Sequence, residues 1–234
     1  MLDPFLMLDS FASDNPGDYI GGFPEHPHRG FETVSYMIAG KMRHKDNAGH
    51  EGVIEAGGVQ WMSAGRGVLH SEMPEQEDGL LQGFQLWVNL PAKSKMLPPA
   101  YQEFKADQIP VEAFDGGSVR VISGETAAGT VGAVQGTATN PLYLDVTLNG
   151  TFKQAIPSSH NGFIYVMAGE ISGVSEGHVG VLGEGRSATF TGEGRFLLIA
   201  GARLNEPVAR GGPFVMNTRA EVLQAFDDYR SGRF

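Results

Sequence analysis

Turn-forming residues leave this chain little room for anything but short segments. Its 33 glycines and 13 prolines make up about a fifth of the residues, against an average near 12% in ordinary proteins. Between them lie runs rich in β-formers: 32–38 (ETVSYMI), 83–90 (GFQLWVNL), 118–123 (SVRVIS), 142–148 (LYLDVTL), 163–167 (FIYVM) and 196–200 (FLLIA). Strands of this length, with turn signals roughly every ten residues, predict an antiparallel sandwich or barrel over alternating βαβ units. One helix is predicted, over about 219–230. Thr218-Arg-Ala-Glu221 is a capping box, Val222, Phe226 and Tyr229 recur at helical spacing, and Ser231-Gly232 ends the run.

Composition removes whole classes of function. The chain has no cysteine, which excludes disulfide frameworks, zinc fingers, iron–sulfur clusters and thiol nucleophiles, so any metal must be held by His, Asp or Glu. Seventeen basic against 27 acidic residues give a net charge of −10, which argues against direct binding to a nucleic-acid backbone. The opening MLDPFLMLDS lacks a basic leader, and the longest later apolar run covers only 196–202. Neither a signal peptide nor a membrane span is expected. The expected location is cytoplasmic, with the nucleus as a second compartment if the source is eukaryotic.

At 234 residues the chain is long enough for two cores. Tyr36-Met-Ile-Ala-Gly40 recurs as Tyr165-Val-Met-Ala-Gly169, 129 residues later, which points to two similar halves. The polar stretch Lys105–Pro110 (KADQIP) reads as a linker. The expected division is 1–104, a linker at 105–110, and 111–234 carrying the C-terminal helix.

His26 and His28 are two apart, as are His70 and Glu72. On strands, residues i and i+2 share a face, and paired strands bring such neighbours within about 5 Å. If these two strands pair, three imidazoles and one carboxylate converge. Such a donor set suits Fe(II), Mn(II), Ni(II), Cu(II) or Zn(II) and leaves two octahedral positions open. Glycines and prolines flank both pairs, among them Gly21, Gly22, Pro24, Gly65, Gly67 and Pro74, so backbones can approach closely. His44 and His50 fall in a charged, turn-like stretch and are expected to be solvated. His160 and His178 lack a partner at i+2 and are expected to be structural or surface residues. Arg29 is expected on the far strand face, at the surface.

The run His26-Pro-His28-Arg-Gly-Phe-Glu32, followed by Trp61-Met-Ser-Ala-Gly-Arg-Gly-Val-Leu-His70-Ser-Glu72-Met-Pro, resembles the pirin family, a branch of the cupin superfamily. Leu2-Asp-Pro-Phe-Leu-Met-Leu-Asp9, Gln85-Leu-Trp-Val-Asn-Leu90, Ser123-Gly-Glu125 and Gly212-Pro-Phe-Val-Met-Asn-Thr218 extend the likeness over nearly the whole chain. The resemblance implies an all-β bicupin of two stacked antiparallel, jelly-roll-like barrels with a short C-terminal α-helix. It implies one divalent metal, usually iron, in the N-terminal barrel, with His26, His28, His70 and Glu72 as ligands. Shifting by 129 puts Ala155, Pro157 and Asn161 where His26, His28 and Glu32 stand, so the second barrel is expected to hold no metal. Pirins usually carry a further segment ahead of the Leu-Asp-Pro-Phe run, which Met1 abuts here.

Family membership implies two kinds of activity. One is a quercetin 2,3-dioxygenase-type oxygenase acting on a flavonol-like substrate and dioxygen. In that reading Glu72 is the catalytic carboxylate, Phe23 offers an apolar pocket edge, and Gln85 either bonds substrate or is a buried structural amide. The other is a regulator whose metal oxidation state alters a protein-binding surface without turnover. A cupin-type sugar-phosphate isomerase ranks last, because only Arg29 and Arg66 could meet a phosphate. Glu32 lies four residues after His28 and is expected behind the ligands or in a structural pair, since a fifth donor would leave a single open position.

Overall fold

The computed structural model describes residues 1–234. It opens with strand β1 (Phe5–Ser13), one helical turn α1 (Pro16–Tyr19), then β2 (Phe23–His28), β3 (Phe31–Ala39), β4 (Lys41–Asp46), β5 (Glu51–Glu55), β6 (Val59–Ser63), β7 (Val68–Pro74), β8 (Leu81–Asn89) and β9 (Ala100–Phe104). These strands form two antiparallel sheets, ordered β1-β8-β3-β6-β9 and β2-β7-β4-β5. Strand β3 is buried along nearly its whole length on both faces, Glu32, Thr33 and Ser35 included. Its odd-numbered side chains face the smaller sheet: Phe31 meets the ring of His28, and Ser35 bonds Glu72. Glu32, Val34 and Tyr36 therefore project from the opposite face.

The chain continues through β10 (Val111–Phe114), β11 (Gly117–Ser123), β12 (Leu142–Ala155), β13 (His160–Ile171), β14 (Val174–Ser175), β15 (Val179–Val181) and β16 (Ser187–Ala202). They build a second antiparallel unit in the order β10-β11-β12-β16-β13-β14, with β15 beside β13. Its core includes Leu144, Val146, Ile164, Val166, Phe196 and Leu198, the inward members of the long paired strands. Strands β3 and β13 begin 129 residues apart; β3 leads into Gly40 at φ +80°, and β13 carries Gly169 at +77° near its far end. That shared backbone conformation is the physical content of the repeat, because any Cβ at Gly169 would fall 2.2 Å from the Glu193 carbonyl. All six strand runs singled out in the sequence coincide with strands, Leu90 alone falling one residue beyond β8.

The chain ends with β17 (Ala209–Gly211), β18 (Phe214–Met216) and helix α2 (Arg219–Arg230), whose capping box between Thr218 and Glu221 is fully formed. Here the expected division fails. The compact units are Met1, Phe5–Ala106 and Leu204–Phe234 on one side, and Leu2–Pro4 with Asp107–Arg203 on the other. The helix thus belongs to the first unit rather than to a barrel spanning 111–234. Apolar packing is the reason, since Val215 is buried with Phe31 and Trp87, and Phe214 packs against Phe226.

Arg29 explains much of the rest, and it is buried instead of exposed. Its backbone N–H donates to the Pro213 carbonyl and its carbonyl accepts from Val215 N–H. Its guanidinium donates to Asp228 at 2.7 Å and to the Arg66 carbonyl, and lies 4.3 Å from the centre of the Phe234 ring. Nearby Lys95 is fully buried, yet its Nζ donates to Gly30 O, Asn89 Oδ1 and Val215 O at 2.6–2.9 Å. Burial lowers its pKa to about 8.

Candidate metal centre

Strands β2 and β7 pair with His26 opposite His70, so the two strands meet as their i, i+2 spacing requires. His28 follows on the same face. The three rings lie 4.4–4.9 Å apart, and one nitrogen from each falls within 4.8 Å of the others. His26 Nδ1 is 2.7 Å from the Pro24 carbonyl. A carbonyl only accepts, so Nδ1 carries the proton and Nε2 keeps its lone pair. That lone pair faces His28 Nε2 at 3.0 Å, close to the separation of two adjacent donors each about 2.1 Å from a shared ion.

The electrostatics fit a cation. Burial, reinforced by the neighbouring imidazoles, lowers the pKa of His28 to about 2, with the Pro213 carbonyl opposing. Burial also lowers His70 to about 4, with Glu72 pulling the other way. Both rings are thus neutral at physiological pH, the form that ligates metal. His70 Nε2 is buried without a hydrogen-bond partner in the protein. A buried nitrogen of this kind is costly unless something binds it, and a divalent ion among the three rings would meet it.

Glu72 sits one strand step from His70, almost fully buried. The tight group of nitrogens does not include it. Instead its Oε1 accepts from Ser35 Oγ and its Oε2 from Gln85 Nε2, both at 2.6 Å. Gln85 Oε1 in turn accepts from Trp87 Nε1 at 3.1 Å. Both ends of the Gln85 amide therefore have a partner. Phe23 lies opposite Glu72 in register and is 41% exposed, an apolar edge beside the carboxylate.

Of the two places expected for Glu32, it does not take the one behind the ligands. It lies on the opposite face of β3 from Phe31 and Ser35, hence away from the histidines. Burial raises its pKa to about 7, opposed by Trp61. His44 also departs from expectation. It stands on β4 opposite Glu72, buried, with Nε2 2.6 Å from Glu103 Oε2. The absent side chain of Gly52 makes room for it, since a Cβ there would come 2.5 Å from His44 Nε2. His50 stays exposed and pairs with Asp46, itself opposite His70 in register. Ser35 and Trp87 escaped the sequence reading. The available signal was parity, a small polar residue on the inward period of an otherwise apolar strand.

The second unit holds no counterpart of this centre. Ala155 and Pro157 line a cavity of about 850 Å³ there, with Gln154, His160 and Arg186 on its wall. His160 is held by the Asn140 carbonyl and the Ser159 hydroxyl. The three-histidine group of the first unit is the one cluster of metal-type donors in the chain.

Comparison with known proteins places this geometry among relatives. The sequence model of Pirin matches residues 1–88, and that of the Pirin C-terminal cupin domain matches 143–234. A Pirin-like protein of Caulobacter vibrioides is 54% identical, covering all of this chain and 88% of its own length. A Pseudomonas aeruginosa protein provisionally named quercetin 2,3-dioxygenase is 46% identical over 98% of this chain and 86% of its own. The crystal structure of a quercetin 2,3-dioxygenase from Acinetobacter baumannii superposes with a TM-score of 0.92 at 38% identity, covering 100% of this chain and 86% of that one. No helix is long and apolar enough to cross a membrane.

Proposed function

The chain belongs to the pirin family, and from that premise we propose that it is a mononuclear metal-dependent oxygenase of the quercetin 2,3-dioxygenase type, acting on a flavonol-like substrate. His26, His28, His70 and Glu72 hold one divalent ion, most readily iron. The observation that carries the reading is the convergence of three imidazoles on one point beside an aromatic edge and a buried carboxylate.

An ion held by these residues would supply Lewis acidity toward an ionised substrate oxygen and redox chemistry toward dioxygen. The protein does the rest. Pro24 fixes the His26 tautomer, so that its Nε2 presents a lone pair. Glu72 takes the flavonol hydroxyl proton on a carboxylate lone pair that Ser35 and Gln85 leave free. Phe23 lies against the flat substrate, while Phe31 and Trp87, packed beside His28, keep bulk water from the ring.

Anaerobic purification, metal loading and oxygen uptake with quercetin test the reading. Loaded wild type should consume oxygen and His26→Ala should not. If the loaded protein binds metal yet consumes no oxygen, and the two behave alike, the chain is a metal-dependent regulator instead.

A further inference from the structure

The polar groups that surround Glu72 form a directed chain, and its direction is fixed by chemistry rather than by choice. The Trp87 indole can only donate, so the atom of Gln85 it meets at 3.1 Å must be the amide oxygen. The amide nitrogen is thereby turned to Glu72 Oε2, where it donates at 2.6 Å. Ser35 Oγ donates to the other oxygen at the same distance. Each carboxylate oxygen thus receives one neutral donor, and each keeps lone pairs for a cation or a proton.

Sheet register explains why these residues meet. Ser35 pairs with Gln85 across β3 and β8, and Thr33 pairs with Trp87, so Ser35, Gln85 and Trp87 share the face that looks toward β7. Trp87 is itself pinned. Its ring lies 5.2 Å from that of His28, and the Arg210 guanidinium covers it at 4.8 Å. The far end of the chain of bonds therefore touches a histidine of the metal centre, and the near end holds the carboxylate.

We propose that Gln85 is a positioning residue for Glu72: locked by Trp87, and acting with Ser35, it clamps the carboxylate beside the three histidines so that Glu72 completes the metal's donor set. This rests on the metal-binding half of the proposed function and not on turnover. A protein that binds metal but leaves quercetin untouched still tests it.

Metal affinity, read by Zn(II) competition with a chromophoric chelator, is the direct measurement. Gln85→Ala should lower Zn(II) affinity about 10–100-fold while far-UV circular dichroism stays unchanged. Trp87→Phe, which frees the amide to turn over, should give a smaller loss. In a Glu72→Ala background, adding Gln85→Ala should cost less than about threefold, because a residue that acts through Glu72 has nothing left to act on. The Co(II)-loaded Gln85→Ala protein should show an altered visible spectrum. Equal losses with and without Glu72 would overturn the proposal, as would unchanged affinity and spectrum in Gln85→Ala. Should Gln85→Ala fail to fold, Gln85→Glu keeps the shape and the acceptor for Trp87 but sets carboxylate against carboxylate. It should weaken Zn(II) binding at least tenfold, and retention of wild-type affinity would refute the clamp.

Discussion

Replacing Arg29 by Met tests whether the last residues of the chain hold the strand that carries two of the histidines. Met keeps the apolar stem and fills most of the space, so the loss isolates the guanidinium. Three contacts disappear. The charge-assisted bond to Asp228, at 2.7 Å between a buried cation and a largely covered carboxylate, contributes about 1.5–3 kcal/mol. The Arg66 carbonyl loses its donor, which costs about 1 kcal/mol or more. The contact over the Phe234 ring contributes roughly 0.5–2 kcal/mol. Arg233 also bonds Asp228, so the carboxylate is not stranded and the lower ends of these ranges apply. A net loss of about 3–4 kcal/mol follows, and in a protein of this size it should lower Tm by roughly 6–16 °C. Both tryptophans, Trp61 and Trp87, lie in the first unit, so fluorescence-monitored unfolding of the metal-free protein reports that unit alone. Arg29→Lys, which keeps the charge but loses the fork and the stacking, should fall between. A shift under about 3 °C for Arg29→Met would refute the view that this contact clasps the strand.

Glu32→Gln should leave metal affinity intact, because the side chain faces away from the histidines, and chelator competition checks this. The same variant should change the pH dependence of stability. Between about pH 4.5 and 7 the unfolded chain releases this proton while the folded chain keeps it, so the Glu32 contribution falls as pH rises through that window. A wild-type-minus-variant difference that stays flat from pH 4 to 8 in urea titrations would contradict the raised pKa. In the Glu32→Gln background, metal-free protein should lose stability as pH falls from 6.5 toward 4, because unfolded imidazoles protonate before buried His28 and His70 do. Rising stability over that range would show the rings to be charged in the fold. Elemental analysis should find one tightly bound metal per chain, lost in His70→Ala. Two ions that survive mild chelation would mean that the second unit also binds.

Much of this architecture was legible because strands announce themselves locally. ETVSYMI and FLLIA needed only β-propensity and bounding glycines, and the helix needed only Thr218, Glu221 and an apolar stripe. The histidine centre was legible for the same reason: strand parity alone puts His26 with His28 on one face. What parity cannot tell is which face, so a place for Glu32 behind the ligands stayed open beside a structural pair, since β3 is buried on both sides and carries no polar face to mark the outside. His44 was misread because charged neighbours and glycines look like a loop, although Gly52 serves to admit its ring. Arg29 and the unit boundary were out of reach altogether. Both depend on residues such as Asp228 and Phe234, about 200 positions away, and no local pattern encodes such a contact.

The passage of residues 204–234 back into the first unit has a consequence for how the chain is made. During synthesis, strands β1–β9 leave the ribosome long before Pro213, Val215 and Asp228 exist, while Asp107–Arg203 emerges with nearly all its own partners in hand. The later-made unit is therefore free to mature first, and the one bearing the histidines waits for residues 204–234. Its contacts have the greater sequence separation, which slows closure and lengthens the time its strand edges stay unpaired. A fragment cut at Ala106 would never pass that wait. It would present Arg29 without Asp228 and Phe234, and Gly30 and Asn89 facing a lysine that no longer reaches Val215, and such a piece is expected to aggregate rather than to load metal.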